Sequence, residues 1–328
     1  MSASLSAFNH DVAPVFLTET ELKPYLNRLD VAACLRDLFL ALAQDKAVQP
    51  AQSLTLLPED KGDFITYQGA VAGADVFGAK LSPYLVTSDK PIITAWTTLM
   101  SSRTGKPLLC CDSGLLTLER TAGTTALAVD QLAKAESKHL AIIGCGSVAQ
   151  AHLKHVLNLR EWQSISVYSP SLGEDASLQD KLMTIDKRVQ ISSTSSACIQ
   201  GADVIMLCTS SGTPVIEMQD LTKQDVLITS ISTNVANAHE IAPSALSQMD
   251  VYCDYKATTP ASAGEMKLAS EQANWTSAEV KGDLADLVNQ DIEKPSYQKP
   301  VFFRSIGLGL EDIAMAYGIW TQLESSQV

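Results

Sequence analysis

The sequence predicts an α/β protein in which a parallel-sheet domain is combined with an α+β domain. Three observations predict this fold class. Segments rich in β-forming residues dominate from about position 52 to 109, short apolar strands alternate with helices after Arg120, and a glycine-rich turn directly follows one of those strands. Strands that alternate with helices are typical of a parallel sheet covered on both faces.

The composition bounds the classes of function. The chain has 328 residues, of which 46% are hydrophobic, which is enough for two cores. Its net charge of -13 excludes a general nucleic-acid binder, because phosphates are bound by clusters of Lys and Arg. No leader sequence and no apolar stretch of about 18 residues is found, so we expect a cytoplasmic protein with no membrane partner. The seven scattered cysteines predict neither a disulfide framework nor a zinc site.

The first block opens with helices and continues with strands. Thr18 and Glu21 form a capping-box pattern, and Asp30 precedes an amphipathic helix. The β-rich segments are 53–57, 64–67, 76–81 and 93–97, with a hairpin turn at 103–107. This block is therefore predicted to be α+β.

The second block alternates helices and strands. We predict helices at 121–133 and 147–159 and strands at 139–143, 164–168, 189–192, 203–208, 226–230 and 251–254. A last helix, at 310–323, lies beyond this pattern and returns to the first block. The expected domains are 1–120 plus 305–328 for substrate binding and dimerisation, and 121–304 for the parallel sheet.

A glycine-rich turn links the strand at 139–143 to its helix. It reads Gly144-Cys145-Gly146-Ser147-Val148-Ala149, a G-x-G-x-x-A pattern. The first glycine permits a tight turn, the second leaves room for a pyrophosphate, and the alanine allows close packing of the helix on the sheet. The helix N-terminus then offers N–H groups to the phosphates. In this context the pattern predicts a Rossmann domain that binds NAD(H) or NADP(H) through Gly144, Gly146, Ser147, Val148 and Ala149.

The end of the second strand bears on the choice of cofactor. NAD-specific sites usually carry Asp or Glu there for the ribose 2′-hydroxyl. Here Ser169 and Ser171 follow the strand, and the first carboxylate is Glu174. Two hydroxyls can donate to a 2′-phosphate, whereas a carboxylate would repel it. The sequence therefore favours NADPH over NADH, although no arginine supports that preference and dual use stays open.

Further motifs carry a resemblance to a known family. They are Val48-Gln49-Pro50, Gly78-Ala79-Lys80, Thr104-Gly105-Lys106-Pro107-Leu108, Leu116-Thr117-Leu118-Glu119-Arg120-Thr121-Ala122, Ala202-Asp203-Val204 and Ser305-Ile306-Gly307 followed by Glu311-Asp312. In this order, together with the glycine-rich turn, they resemble the ornithine cyclodeaminase/μ-crystallin family over nearly the whole chain. The resemblance implies a homodimer that uses NAD(H) or NADP(H) on amino acids and their imines.

The resemblance also implies the residues of the site. Lys80 and Arg120 stand where the family has basic residues for the substrate carboxylate, and both are plausible anion-binding groups. Gln52 stands where many relatives have arginine, so it supplies a hydrogen bond without charge. Arg120, Thr121, Thr209 and Ser210 are expected to contact the cofactor, and Lys80 is expected to assist protonation.

A second departure concerns the direction of the reaction. Cyclodeaminases and alanine dehydrogenases of the family carry Asp in a G-x-D-x-P-G-K-x-E pattern, and counting back from Glu240 places Asn234 at that position. An amide cannot act as the general base that oxidation of an ammonium substrate requires. Reduction of a protonated imine does not require one. Asn234 is expected to orient the imine or a water, and His239 is an alternative proton relay.

The function expected from the sequence is reduction of cyclic 2-imino acids by NADPH or NADH. The candidate substrates are Δ1-pyrroline-2-carboxylate, which gives proline, and Δ1-piperideine-2-carboxylate, which gives pipecolate. The alternatives are an ornithine cyclodeaminase or amino-acid dehydrogenase, and a non-catalytic binding protein of the crystallin kind. No metal is expected, because the His152-x-x-His155 pair has no third ligand at a matching spacing.

Overall fold

The computed structural model describes residues 13–233 and 237–326, which divide into two compact units. The first contains the described residues up to Leu29, Lys46–Leu116, and the described residues from Gly309 on; the second contains Asp30–Asp45 and the described residues within 117–308. The sequence-based division placed 30–45 with the first block instead. The α/β fold class, with a parallel Rossmann sheet and an α+β unit, is confirmed.

The first unit is built on a mostly antiparallel sheet. Its elements are β1 (Val15–Leu17), α1 (Glu19–Leu26), β2 (Ala47–Val48), β3 (Ser53–Leu56), β4 (Gly62–Val71), β5 (Val76–Leu85), β6 (Ile92–Ile93), β7 (Trp96–Ser101), β8 (Pro107–Asp112) and α10 (Gly309–Ser325). The strand order is β1-β8-β7-β5-β4-β2, with β3 paired to β4 and β6 to β5. Only the β1–β8 pair is parallel among these described strands.

Helix α10 packs on this sheet where two strands carry glycine. A Cβ on Gly69 would lie 2.9 Å from Leu310 Cδ2, and one on Gly78 would lie 2.8 Å from Ile313 Cδ1. The missing side chains let the helix approach the backbone of β4 and β5. Gln49 fixes the start of the helix, because its Oε1 accepts a hydrogen bond from the Leu310 N–H at 3.0 Å. The Val48-Gln49-Pro50 motif therefore has a structural role as the cap of α10.

The second unit contains a sheet whose strands all run parallel. The strands are β9 (His139–Ile143), β10 (Ser164–Tyr168), β11 (Val189–Ile191), β12 (Val204–Leu207), β13 (Leu227–Ser230), β14 (Asp250–Cys253), β15 (Val280–Asp283) and β16 (Val301–Arg304), in the order β11-β10-β9-β12-β13-β16-β14-β15. Chain order reverses between β9 and β12. A ligand site of such a sheet lies outside the carboxyl ends of the strands at this point.

The helices of the second unit include one that lies early in the chain. They are α2 (Val31–Ala43), α3 (Gly114–Leu132, whose first turn belongs to the first unit), α4 (Ser147–Val156), α5 (Ala176–Ile185), α6 (Ser195–Ile199), α7 (Thr259–Ser262), α8 (Gly264–Gln272) and α9 (Leu284–Asn289). Helix α2 packs on α3 at Gly123, where a Cβ would lie 2.6 Å from Val31 Cγ1 and 2.8 Å from Leu35 Cδ1. This close packing explains why 30–45 groups with the second unit. Within the described residues, no helix has the length and apolar character needed to cross a membrane.

Candidate active site

The glycine-rich turn lies at the carboxyl end of β9, between two neighbouring strands. Gly144 has a φ of 118°, a conformation that side chains with a Cβ rarely adopt. Its N–H donates to the Tyr168 carbonyl at 2.8 Å, and a Cβ there would lie 2.3 Å from the Cys208 carbonyl oxygen. The turn is therefore closed against the ends of β10 and β12, and only glycine fits at its first position.

Gly146 and Ser147 are open to solvent, whereas Cys145 before them is buried. Gly146 is the N-cap residue of α4, and a Cβ built on it meets no atom within 4 Å. Ser147, the first residue of the helix, is exposed, whereas Ala149 is buried against the sheet at 1% exposure. An accessible helix N-terminus with a bare backbone before it is the cradle that a pyrophosphate requires. The residues present therefore fit a dinucleotide.

The loop after β10 presents hydroxyl groups at the same edge of the sheet. Ser169 is half-buried and Ser171 is exposed. Asp175 is engaged as the N-cap of α5, because its Oδ1 accepts from the Leu178 N–H at 2.9 Å. Glu174, the nearest carboxylate to the strand end in sequence, is exposed.

The loops after β12 and β13 are tied together by Glu240, whose role could not be read from the sequence pattern. Its Oε1 accepts from the N–H and the hydroxyl of Thr209, at 2.8 and 2.7 Å. Its Oε2 accepts from the Ser230 hydroxyl and from the N–H groups of Ile231 and Ser232, at 2.8, 2.9 and 3.1 Å. Thr209 is half-buried, and both its N–H and its hydroxyl are engaged by Glu240. The next residue, Ser210, is exposed.

Arg120, in α3, is buried at 5% exposure and lies against the loop that follows β16. Gly307 has a φ of 78°, and a Cβ there would lie 2.1 Å from Arg120 Nη1. Asp254 holds this loop, because its Oδ2 accepts from the Ser305 hydroxyl and from the N–H groups of Ile306 and Gly307, at 3.0, 2.7 and 3.1 Å. The Ser305-Ile306-Gly307 motif therefore forms a fixed surface beside the guanidinium.

Lys80 lies in the middle of β5 in the first unit and is buried at 1% exposure. Its Nζ forms an ion pair with Asp312 Oδ2 at 2.8 Å and lies 4.4 Å from the ring centroid of Tyr67. A buried cation is tolerated when it is paired in this way. Gln52, between β2 and β3, is half-buried. The glutamate–aspartate part of the C-terminal motif thus supplies the counter-ion of the lysine.

The remaining residues that the sequence singled out are Thr121, Asn234 and the histidine pair His152 and His155. Thr121, in α3, is half-buried and donates its hydroxyl to the Thr117 carbonyl at 2.7 Å. Asn234 lies outside the described residues. His152 and His155 contact Thr125 and Glu119, at 2.9 and 2.7 Å. Within 13–233 and 237–326, no group of three or more His, Cys, Asp or Glu residues is placed to hold a metal ion.

The fold and the carboxyl edge of the parallel sheet define a dinucleotide-binding protein of the Rossmann type. Residues 31–327 match the Ornithine cyclodeaminase/mu-crystallin family, and the chain belongs to that family. The resemblance seen in the sequence motifs is therefore confirmed.

Three similar proteins narrow the class of reaction. The chain is 50% identical to the NAD(P)H-dependent anabolic L-arginine dehydrogenase DauB of Pseudomonas aeruginosa, over 94% of this chain and 96% of that protein. It is 24% identical to a Δ1-pyrroline-2-carboxylate reductase of Colwellia psychrerythraea, over 76% and 81%. The structure of the Thermococcus litoralis Δ1-pyrroline-2-carboxylate reductase with NADH and L-proline superposes with a TM-score of 0.86 at 18% identity, covering 96% of this chain and 98% of that one. The chain is an NAD(P)H-dependent oxidoreductase that acts on CH–NH and C=N bonds.

Proposed function

We propose that this enzyme reduces the C=N bond of a linear 2-imino acid to the L-amino acid, with the imine of arginine as the first candidate substrate. The observation that carries this proposal is the 50% identity to an L-arginine dehydrogenase over 94% of the chain. The imine forms by condensation of the 2-oxo acid with ammonia. When bound, NAD(P)H supplies a hydride to the imine carbon, and the nitrogen keeps the proton with which it arrived.

A second candidate is reduction of the cyclic imines Δ1-pyrroline-2-carboxylate and Δ1-piperideine-2-carboxylate. Asn234 favours reduction in either case, because an amide in place of a carboxylate removes the base that oxidation needs. The Colwellia psychrerythraea relative supports the cyclic substrate at a lower identity of 24%. The linear substrate therefore ranks first.

The cofactor is proposed to lie along the carboxyl edge of the second unit's sheet. Gly144, Gly146 and the N–H groups of Ser147, Val148 and Ala149 would hold the pyrophosphate. Ser169 and Ser171 would donate to a 2′-phosphate, which supports a preference for NADPH. Thr209 would act mainly by shaping its loop, because its hydroxyl and N–H already donate to Glu240, while Ser210 is the exposed contact. Arg120 and Thr121 are proposed as further cofactor contacts.

Lys80 and Arg120 are each proposed to bind the substrate carboxylate. Both are buried cations: Lys80 forms an ion pair with Asp312, and the Arg120 guanidinium lies close against Gly307. A charge that is already oriented needs little reorganisation when an anion binds. Gln52 would add an uncharged hydrogen bond, Asn234 would orient the imine, and Lys80 would assist protonation.

A homodimer is proposed through the first unit. Large exposed apolar side chains are concentrated on its strands, and they include Phe77 (38% exposed), Leu81 (46%) and Ile93 (70%). On β5, Gly78 and Lys80 face α10, so the alternation of a strand turns Phe77 and Leu81 to the opposite face. Exposed apolar patches of this kind mark association surfaces.

The test of the dimer is Leu81→Asp, with Met183→Asp as the control. Met183, on α5 in the second unit, is similarly exposed at 38%. Light scattering should report a dimer for the unmodified protein and for the control, and a monomer for Leu81→Asp. A dimer in all three proteins would place the interface elsewhere.

The test of function is a panel of reductions by purified protein with NADPH and with NADH. The substrates are 2-oxo-5-guanidinovalerate with ammonia, pyruvate with ammonia, Δ1-pyrroline-2-carboxylate and Δ1-piperideine-2-carboxylate. The highest kcat/KM is expected with the guanidino compound. A higher value with either cyclic imine would move the second candidate to first place, and failure with every substrate would overturn both.

A further inference from the structure

We propose that Glu240 is a positioning residue of the reaction: its single carboxylate sets the distance between the loops that follow β12 and β13 at the carboxyl edge of the sheet. Glu240 has 0% exposure. One carboxylate oxygen holds the β12 loop through Thr209, and the other holds the β13 loop through Ser230, Ile231 and Ser232. The proposal rests on the proposed use of this edge as the cofactor site.

The contacts of Glu240 differ from those of an ordinary helix cap or surface carboxylate. Both oxygens are used, each toward a different loop, and three of the five donors are backbone N–H groups. Backbone donors cannot move aside as a side chain can, so the carboxylate fixes main-chain positions. Five hydrogen bonds on one side chain therefore connect the two loops at fixed main-chain positions.

A buried arginine supplies the complementary contacts to the same segment. Arg304, at 1% exposure, donates through Nη2 to the Ser232 carbonyl and through Nη1 to the Ser305 carbonyl. Its Nε forms an ion pair with Glu265 Oε1 at 2.7 Å. Ser232 is therefore held through its N–H by Glu240 and through its carbonyl by Arg304. In addition, its hydroxyl donates to the Ser211 carbonyl at 2.6 Å, which links the two loops a second time.

The loops that Glu240 holds are expected to contact only the nicotinamide end of the cofactor. The glycine-rich turn follows β9, whereas Glu240 acts on the loops after β12 and β13, beyond the point where chain order reverses. Loss of the carboxylate should therefore disturb the nicotinamide end and leave the adenosine and pyrophosphate end in place. A shift of about 1 Å at the reacting end can lower a rate about a hundredfold.

The experiment compares Glu240→Gln with Asp203→Asn, a matched control at the amino edge of the same sheet. Asp203 Oδ2 accepts from the N–H groups of Lys138 and His139 at 2.7 and 2.9 Å, so the control also removes a carboxylate that holds backbone donors. For each protein, the dissociation constants of ADP-ribose and of NADH, the thermal midpoint and kcat are measured. ADP-ribose lacks the nicotinamide ring, so it reports the contacts of the adenosine, the pyrophosphate and the second ribose without those of the ring.

The expected pattern separates positioning from general stability. Both variants should unfold at a lower temperature. Glu240→Gln should bind ADP-ribose within about threefold of the unmodified protein, bind NADH about tenfold more weakly, and lose about 10- to 100-fold in kcat. Asp203→Asn should keep both dissociation constants and kcat within about threefold. If Glu240→Gln does not fold, Ser230→Ala removes one donor and should give a smaller loss of NADH affinity in the same direction.

Two outcomes would overturn the proposal. In the first, Glu240→Gln, or Ser230→Ala in its place, binds NADH and ADP-ribose as the unmodified protein does. In the second, affinity for both ligands falls equally, which would show a general loss of structure. Failure of the proposed function looks different: the unmodified protein would bind NADH and reduce no imino acid, while the comparison of NADH with ADP-ribose would still decide the role of Glu240.

Discussion

Gly307→Ala should displace the Arg120 guanidinium without altering its charge. A Cβ at position 307 would lie 2.1 Å from Arg120 Nη1 and 2.9 Å from Cζ, whereas ordinary contact requires at least 3.4 Å. The far end of the arginine must therefore move by more than an ångström. The loop has little freedom to move instead, because Asp254 holds the backbone N–H groups of Ile306 and Gly307.

The size of the effect follows from two separate contributions. Placing alanine at a φ of 78° costs about 1–2 kcal/mol of stability, because the left-handed region crowds the Cβ. Misplacing the guanidinium weakens a charge-assisted hydrogen bond of about 1.5–3 kcal/mol, which lowers kcat/KM about 10- to 100-fold. Unfolding followed by circular dichroism measures the loss of stability. Steady-state kinetics with the best imino acid measures the loss of kcat/KM.

Gly201→Ala is the matched control, because it imposes the same backbone strain without a clash. Gly201 has a φ of 70° in the same unit, and a Cβ there meets no atom within 4 Å. Gly201→Ala should lose similar stability and keep full activity. The double variant Gly307→Ala with Arg120→Ala should be no slower than Arg120→Ala alone, because both changes remove the same interaction. Full activity of Gly307→Ala would refute the role assigned to the Arg120 position.

Three further predictions concern cofactor choice, substrate charge and pH. Ser169→Asp should lower kcat/KM with NADPH about tenfold, through repulsion of the 2′-phosphate, and change that with NADH less; equal losses with both would remove Ser169 from the 2′ position. Lys80→Ala and Arg120→Ala should each cost about 2–4 kcal/mol of transition-state stabilisation in kcat/KM; a variant that retains half of the activity would exclude its residue from the site. Burial lowers the pKa of His152 from 6.5 to about 4, so between these pH values the unfolded chain binds a proton that the folded chain excludes. The free energy of unfolding should therefore fall on acidification by up to about 1.4 kcal/mol per pH unit, and less steeply in His152→Gln. Urea titrations at several pH values measure this free energy, and the same dependence on pH in both proteins would contradict the prediction.

Short-range sequence patterns predicted those strands whose own residues show a clear run of apolar side chains. The bounds of β9 and β10, His139–Ile143 and Ser164–Tyr168, agree with the prediction residue for residue. The predicted strand at 93–97 is instead interrupted, since β6 ends at Ile93 and β7 begins at Trp96. Strand β16 (Val301–Arg304) was not predicted, although it lies between β13 and β14. Four residues show no period, and the pairing of β16 with distant strands is not encoded in its own neighbourhood.

In the candidate site, too, features that depend on neighbouring residues were predicted, and contacts between distant residues were not. The glycine pattern predicted the turn at Gly144 because the conformation it requires is local. Residues separated widely in sequence form the supporting contacts, such as Asp254 with Ser305 and Glu240 with Thr209. Spacing along the chain holds no information about such pairs, so the sequence indicated the cations without the groups that orient them.

The C-terminal motif shows why those orienting groups matter for specificity. Gly307, near its start, leaves room for the guanidinium of Arg120, and Asp312, at its end, pairs with the ammonium of Lys80. One short motif thus supplies a steric partner for one cation and an electrostatic partner for the other. A larger residue at 307 would move a charge, whereas a neutral residue at 312 would leave a buried charge without its counter-ion, which typically costs about 3–5 kcal/mol. The two ends of the motif are therefore constrained by different physics: the first by volume and backbone conformation, the second by charge.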